Sequence, residues 1–581
     1  MSTELRDYRS RDVRFVPEQL MSVSVRVQGV LLGWVENISA RGMLLASDAQ
    51  DVRVGEVLSE ITAGWHGWSA SLPDAQVVRV TRQAEAPGQL RLIHVACSFE
   101  EAPTEAFTQL RKAFRQSSYV THELLKNVPR IGDSEPPKEQ DLREFEHSDT
   151  SRLLDKCAKF SNYMESLRAT GLYQSLYRVT LTTPLDHRVS IYNPVTRREE
   201  DFVCFDSNSY LGLHIHPRVI EVTQRAVGEF GYGTPSAQLL SGTNKHLREL
   251  EETISQYHGR ESTIVLSSGY SANIGAITAL VGRHDFAVAD QYSHTSVHDG
   301  CAWANPKQLR TYPHKDTNAL REVLERVASV KPHAGKLVVS DGVFSMHGSV
   351  ADLPALREAC DATGSTLMID EAHSTGVLGA TGRGLEELFG CNGAIDVLVG
   401  TFSKAPGTVG GYVTGDEELI TYLRFFANSA MFSASLPAAL CAGVNEAFKI
   451  MAEDSGPRER LWSNVHWLAP AIEDAGLSIP SPESPILTVF VGDTSLLWQV
   501  SREMYDRGVK CGNVCYPAVP PGEGILRISV NARHSRKDLE RCVAALVEVA
   551  RKYDLLGRGI EDLQALGARY RQAHGLVHAT G

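Results

Sequence analysis

The sequence predicts an α/β chain carrying a small all-β module at its front, on three observations. Beyond residue 260, short apolar runs at 263–266, 337–339, 367–369 and 397–399 alternate with helical segments, and each run ends at polar or glycine-containing residues. That is the βαβ layout of a parallel sheet, which collects ligands at the C-terminal edges of its strands. Residues 23–99 instead alternate apolar and polar positions over short β-rich runs broken by Gly and Asp turns, the pattern of a small antiparallel barrel or sandwich. Between the two, Gly132-Asp133-Ser134-Glu135-Pro136-Pro137-Lys138-Glu139-Gln140-Asp141 lacks the apolar periodicity to bury anything and reads as a linker.

In order along the chain, residues 1–118 form the β module, built on runs such as Val23-Ser24-Val25-Arg26-Val27 and Leu92-Ile93-His94-Val95-Ala96 and closed by a helix over 104–114. Residues 119–150 are the linker and 151–205 the lead-in to the second part. Residues 206–440 make a large parallel-sheet domain, and 441–581 a smaller α+β domain with a tail. A chain of 581 residues is too long for one core. Its 43% hydrophobic and 22% charged content is that of a soluble globular protein, and a net charge of -12 argues against nucleic acid as a partner.

No stretch is apolar enough for a membrane span, and the opening MSTELRDYRSRDVRF has charges where a signal peptide needs an apolar run, so the expected compartment is the cytoplasm. Ten cysteines without paired spacing read as reduced core residues. Cys511 and Cys515 are spaced too widely for a zinc knuckle and have no second pair, so no metal is expected.

The chemistry-bearing residues lie at predicted strand ends. Lys404, in Gly400-Thr401-Phe402-Ser403-Lys404-Ala405, follows by 34 residues (404 minus 370) the Asp370 of Asp370-Glu371-Ala372-His373-Ser374. Alone, the lysine could be a solvated surface charge and the aspartate a helix cap. Together they supply an amine to hold an aldehyde and a carboxylate to keep a ring nitrogen protonated, the two needs of pyridoxal phosphate (PLP). His373 can reach the cofactor's phenolic oxygen. Ser267-Ser268-Gly269-Tyr270-Ser271-Ala272-Asn273 follows a strand and opens a helix, whose first N–H groups form an anion site that Gly269 lets a phosphate approach.

The ordered set Asn208-Ser209-Tyr210-Leu211-Gly212-Leu213, Ser241-Gly242-Thr243, Ser268-Gly269-Tyr270, Asp290 with Ser293-His294-Thr295-Ser296, Ser340-Asp341-Gly342-Val343-Phe344-Ser345-Met346, Asp370 to Ser374, Thr401 to Lys404 and Phe432-Ser433-Ala434-Ser435-Leu436-Pro437 resembles the α-oxoamine synthases. These are fold-type I PLP-dependent transferases, with a large parallel-sheet domain and a small C-terminal α+β domain. The likeness covers roughly residues 160–555. It implies Lys404 as the lysine that holds the cofactor, Asp370 as partner of the pyridine nitrogen, His294 as the ring stacked on the cofactor face, and His373 at the phenolic oxygen with Ser345 nearby. Ser268, Gly269, Tyr270 and Thr401 are implied around the phosphate.

Ser433 is implied to reach the site from a neighbouring subunit, making the active unit a homodimer with shared active sites. Arg527, helped by Asn208, is implied to grip the carboxylate of an amino acid substrate, a planar group that suits a forked guanidinium. The implied reaction is decarboxylative condensation of that amino acid with an acyl thioester, on coenzyme A or a carrier protein, to give an α-aminoketone. His347, Gln238 and Pro406 depart from the family pattern and leave the particular amino acid and acyl chain open. The Phe-Ser-Ala-Ser-Leu-Pro wording leans toward the serine palmitoyltransferases and a long acyl chain. An aminotransferase or other fold-type I enzyme, and a non-catalytic regulator on a synthase scaffold, are the alternatives.

Gly33-Trp34-Val35-Glu36-Asn37-Ile38-Ser39-Ala40-Arg41-Gly42-Met43 resembles the PilZ family, whose members often bind cyclic di-GMP. The likeness implies contacts from Asn37, Ser39 and Gly42, and from arginines upstream. Arg6, Arg9, Arg11 and Arg14 are present, but no two have three residues between them as in the family's clamp. A degenerate module used for docking or dimer contacts is the other reading.

Overall fold

A computed structural model describes residues 152–573, apart from 170–171, 194–197, 481, 517 and 521, together with residue 145 and eight N-terminal strands. The chain divides into two units, residues 1–134 with 191–200 and residues 135–190 with 201–581.

The N-terminal strands are β1 (Ser24–Val27), β2 (Val30–Ser39), β3 (Gly42–Ser47), β4 (Val57–Leu58), β5 (Ile61–Trp65), β6 (Trp68–Leu72), β7 (Ala75–Arg82) and β8 (Ile93–Phe99). They pair antiparallel in the order β4-β7-β8-β3-β2-β1-β5-β6. Among the described residues no ladder joins β4 to β6. Ser39 pairs with Gly42 at the end of the β2–β3 hairpin, and Asn37 lies two residues back on β2, beside a register shift. Arg9, Arg11, Arg14, the helix expected at 104–114 and the stretch 132–141 lie outside the described residues.

In the second unit a seven-stranded sheet comprises β12 (Ser262–Leu266), β13 (Phe286–Asp290), β14 (Leu309–Tyr312), β15 (Lys336–Asp341), β16 (Thr366–Asp370), β17 (Val397–Thr401) and β18 (Gly411–Gly415), in the order β12-β18-β17-β16-β15-β13-β14. Alternate residues feed two cores: Val265, Val288, Val338, Ile369 and Leu398 join one, while Ile264, Ala289, Val339, Met368 and Val399 join the other. With a side-chain period of two, that division means both faces are covered, which is why these strands read as continuous apolar runs.

The expectation of a parallel sheet needs one correction, because β18 runs antiparallel to both β12 and β17. Only residues 402–410 connect β17 to β18. A parallel return needs a crossover of a dozen or more residues, so the chain turns straight back. Helices on the sheet start at side-chain caps, Asn244, Ser268, Asp316 and Asp352, each accepting a backbone N–H of its helix's first turn.

A smaller sheet combines early strands β9 (Thr180–Leu181), β10 (Arg188–Asn193) and β11 (Arg198–Phe205) with late strands β19 (Ile486–Gly492), β20 (Val509–Val514) and β21 (Gly524–Ser529). Its order is β19-β21-β20-β11-β10-β9, with β11 and β20 parallel. No described helix is long and apolar enough to cross a membrane. The nine cysteines from Cys157 to Cys542 are free thiols.

Candidate active site

Two acids end neighbouring parallel strands. Asp341 of β15 and Asp370 of β16 are register partners, 3% and 7% exposed. Two carboxyls so close and so dry cannot both ionise cheaply. Asp370 has the better donors: Asn273 Nδ2 at 2.6 Å on Oδ2 and the Ala372 N–H at 2.9 Å on Oδ1. Asp341 receives only the backbone N–H of His294, at 3.1 and 3.2 Å to its two oxygens. Burial, reinforced by Asp370, pushes the Asp341 carboxyl well above the usual range. Asp341 is therefore the protonated member of the pair, and Asp370 is the one whose two oxygens both meet donors.

Lys404 lies in the short connection between β17 and β18, half-buried. Among the described residues its amine makes no hydrogen bond and no ion pair. Desolvation lowers its pKa from the ordinary lysine value, against the attraction of Asp370 and with the help of Arg527. His373 is buried, with Nδ1 2.7 Å from the hydroxyl of fully buried Tyr210. Desolvation first, then the positive charges of Lys404 and Arg527, hold this imidazole far below its usual pKa, so it is neutral. His294 is an accessible side chain that caps the helix Thr295–Ala304. Desolvation lowers its pKa too, opposed by Asp370 and assisted by Lys404.

Arg527 sits on β21, 8% exposed and held by four hydrogen bonds, which leave one Nη2 N–H over. Its Nε donates to the Ser345 carbonyl at 2.7 Å, both terminal nitrogens donate to Asn208 Oδ1 at 3.1 Å, and Nη1 also reaches Ser529 Oγ at 2.9 Å. At the other end, Ser268 Oγ accepts the Ser271 N–H at 3.0 Å and opens the helix Gly269–Leu280. A Cβ on Gly269 would lie 2.9 Å from the Thr401 side chain, so only glycine lets the helix start approach β17.

The structure thus brings together Lys404, Asp370, His294, His373 and Arg527, each within the field of others, with Asn208 and Ser345 bonded to Arg527 and Ser268, Gly269 and Thr401 at the helix start. Two residues stand apart. The Tyr270 hydroxyl turns outward to Asp299 at 2.6 Å. Ser433 makes no side-chain hydrogen bond among the described residues and follows Phe432, which is 79% exposed. Asn273, Ser296, Asp341 and Tyr210 belong to the site without having been singled out. Each lies inside a recognised motif, so proximity to a motif residue was the available signal.

These residues fit PLP. A half-buried amine without a hydrogen-bond partner among the described residues lies in the field of an acid whose oxygens both face donors, and a helix N-terminus stripped of a Cβ supplies N–H groups for a phosphate.

Residues 200–546 match the family described as aminotransferase class I and II. The chain is 37% identical over 72% of its length to 4-hydroxy-2,2'-bipyrrole-5-methanol synthase PigH of Serratia sp., of which the match spans 63%. It is 35% identical over 70% of its length to a serine palmitoyltransferase of Sphingobacterium spiritivorum, matched over 98%. A solved serine palmitoyltransferase from S. paucimobilis, with bound PLP–myriocin aldimine, superposes with a TM-score of 0.65 at 29% identity, covering 69% of this chain and 99% of that one. Matched over more than half its length by that family, and covering 98% of the serine palmitoyltransferase of Sphingobacterium spiritivorum at 35% identity, the chain belongs to the class I and II aminotransferases and, within them, to the PLP-dependent α-oxoamine synthases.

Proposed function

We propose that this chain condenses an amino acid with an acyl thioester, with loss of carbon dioxide and thiol, to give an α-aminoketone. The observation that carries the reading is the convergence of Lys404, the hydrogen-bonded carboxyl of Asp370 and the anchored Arg527 in one site. When bound, PLP supplies an electron sink for a carbanion at the substrate Cα. Lys404 would hold its aldehyde, Asp370 its ring nitrogen and His373 its phenolic oxygen, with Gly269, the Tyr270 backbone and Thr401 at the phosphate.

The remaining work falls to this chain's side chains. Arg527, fixed by Ser345, Asn208 and Ser529, presents a rigid fork to the substrate carboxylate. Desolvation lowers the Lys404 pKa from the ordinary lysine value, which favours its release of a proton and its use as the base that takes the Cα proton. Protonated Asp341 leaves Asp370 unrepelled.

The purified protein with PLP is expected to absorb in the visible, and Lys404→Ala to lose that band. Matching spectra for the two under cofactor excess would end the assignment. Amino acids screened against acyl-CoAs of varied length, with thiol release as readout, identify the substrates. Release of a keto acid without thiol would favour the aminotransferase reading.

The active unit is a homodimer in which Ser433 serves the partner's site; exposed Phe432 supports it, and sedentation as a monomer at working concentration would oppose it. The free thiols support a cytoplasmic location. Residues 1–118 are a PilZ-like module, supported by the placement of Asn37, Ser39 and Gly42 near one hairpin end. Calorimetry with cyclic di-GMP tests it: heat that Ser39→Ala removes supports binding, and no heat with wild type favours the docking role.

A further inference from the structure

Asn273 lies one helical turn beyond Gly269 and is 1% exposed. Its Nδ2 donates to two acceptors, Asp370 Oδ2 at 2.6 Å and Ser296 Oγ at 2.9 Å. Ser296, wholly buried, places that same Oγ 2.7 Å from His294 Nδ1, and its backbone N–H points to the same nitrogen at 3.3 Å. A single chain of contacts therefore links the acid to the accessible imidazole.

The direction of every hydrogen in this chain follows from the chemistry of the groups. A carboxylate only accepts, so the amide must turn its NH₂ toward Asp370, and its second hydrogen then falls to Ser296 Oγ. A hydroxyl that accepts there still has one hydrogen to give, and His294 Nδ1 is its nearby acceptor. A backbone N–H only donates, which requires a lone pair on the same Nδ1. His294 therefore carries its proton on Nε2. The Asn273 carbonyl oxygen is buried with no hydrogen-bond partner among the described residues, so the amide is used purely as a donor.

We propose that Asn273 and Ser296 are positioning residues, which together orient the Asp370 carboxylate and fix His294 as the neutral Nε2–H tautomer presented to cofactor and substrate. The inference rests on the roles proposed above for Asp370 and His294. The charged and titratable groups acting on His294 are Asp370 and Asp299, which favour its protonation, and Lys404 and His298, which oppose it along with desolvation. The Ser296 hydroxyl, donating to Nδ1, adds to the second set, since a donor on a bare ring nitrogen favours the neutral form.

The test uses full-length protein labelled with ¹⁵N-histidine, with and without PLP, the His294 signals being assigned by their loss in His294→Gln. Wild type should show the Nε2–H form. Ser296→Ala should raise the fraction of Nδ1–H form about two- to tenfold, the scale of one net hydrogen bond, and Asn273→Ala should move it in the same direction by less. Asn273→Asp, nearly identical in shape but with an oxygen in place of the donor, should weaken PLP binding in equilibrium dialysis by about tenfold or more through repulsion of Asp370.

An unchanged His294 tautomer in both Ser296→Ala and Asn273→Ala overturns the proposal, as does wild-type PLP affinity in a folded Asn273→Asp. Should Asn273→Asp fail to fold, the Ser296→Ala tautomer decides alone. Because the tautomer is read without cofactor, its outcome is independent of the Lys404→Ala spectrum.

Discussion

Two interior cations of this site are treated in opposite ways. Arg527 has four hydrogen bonds holding its fork, and it stands in the middle of a strand paired on both sides. Lys404 stands in a short connection, its amine without a direct partner among the described residues. A guanidinium is a permanent charge suited to static grip, whereas an ammonium without partners is readily deprotonated by burial. Anchoring marks the group that binds, and the lack of it marks the group that must exchange protons.

Removing the amine breaks this comparison most severely. Lys404→Ala should lower the rate of thiol release by about 10³-fold or more, as for loss of a general base that also holds the cofactor. Arg527→Lys keeps a charge but loses the fork, and the Ser345, Asn208 and Ser529 contacts cannot all be kept. It should raise KM for the amino acid by about ten- to a hundredfold while changing kcat much less, measured from thiol release against amino acid concentration. A fall in kcat at constant KM would mean that Arg527 acts in the transition state instead.

The same contrast explains what could be read from the chain alone. Lys404, Asp370 and Gly269 were legible because each closes or follows an apolar run, and a strand end places its neighbour at the sheet edge whatever the rest of the fold does. Arg527 and Asn208 lie 319 residues apart, and only the resemblance could join them. Nothing local says that Asn273 reaches Asp370, 97 residues on, or that Ser296 continues the chain to His294. The reversal of β18 was hidden for a similar reason, since an apolar run carries no mark of direction. Tyr270 shows the limit of motif transfer: its backbone sits at the helix start as expected, while its hydroxyl goes to Asp299.

A third charge-bearing group, Glu371, stands next to Asp370 in sequence and is wholly buried. It accepts from Ser374 Oγ and from the Leu385 N–H at 2.9 Å. Desolvation outweighs both bonds and raises its pKa to about 7. The folded chain then holds a proton that the unfolded chain releases near the ordinary glutamate value of 4.5, so stability falls as pH rises from about 4.5 to 7 and levels off above. The span corresponds to about 3 kcal/mol. Buried histidines act in the opposite sense, because His258, held at about 3, and His534, at about 4, lose stability as pH drops below the usual histidine value. Only a difference isolates Glu371. Thermal unfolding of Glu371→Gln against wild type should show the variant gaining relative stability between pH 5 and 8; parallel curves would show that Glu371 is ionised throughout.

The smallest effect separates the two neighbours that open the helix Gly269–Leu280. Ser268→Ala removes the oxygen that accepts the Ser271 N–H, at a cost of about 1 kcal/mol in stability. It leaves the remaining first-turn N–H groups in place, so PLP affinity should change by less than about threefold. Gly269→Ala does the reverse: a methyl 2.9 Å from the Thr401 side chain forces the helix start away from β17, where the phosphate would be held. Its PLP affinity should fall by about tenfold, because displacement of a charge-assisted contact is felt more strongly than loss of a neutral cap. Equal affinity losses in the two variants, read by equilibrium dialysis, would mean that the cap itself carries the phosphate, and that this end of the site is anchored in the manner of Arg527 rather than left open like Lys404.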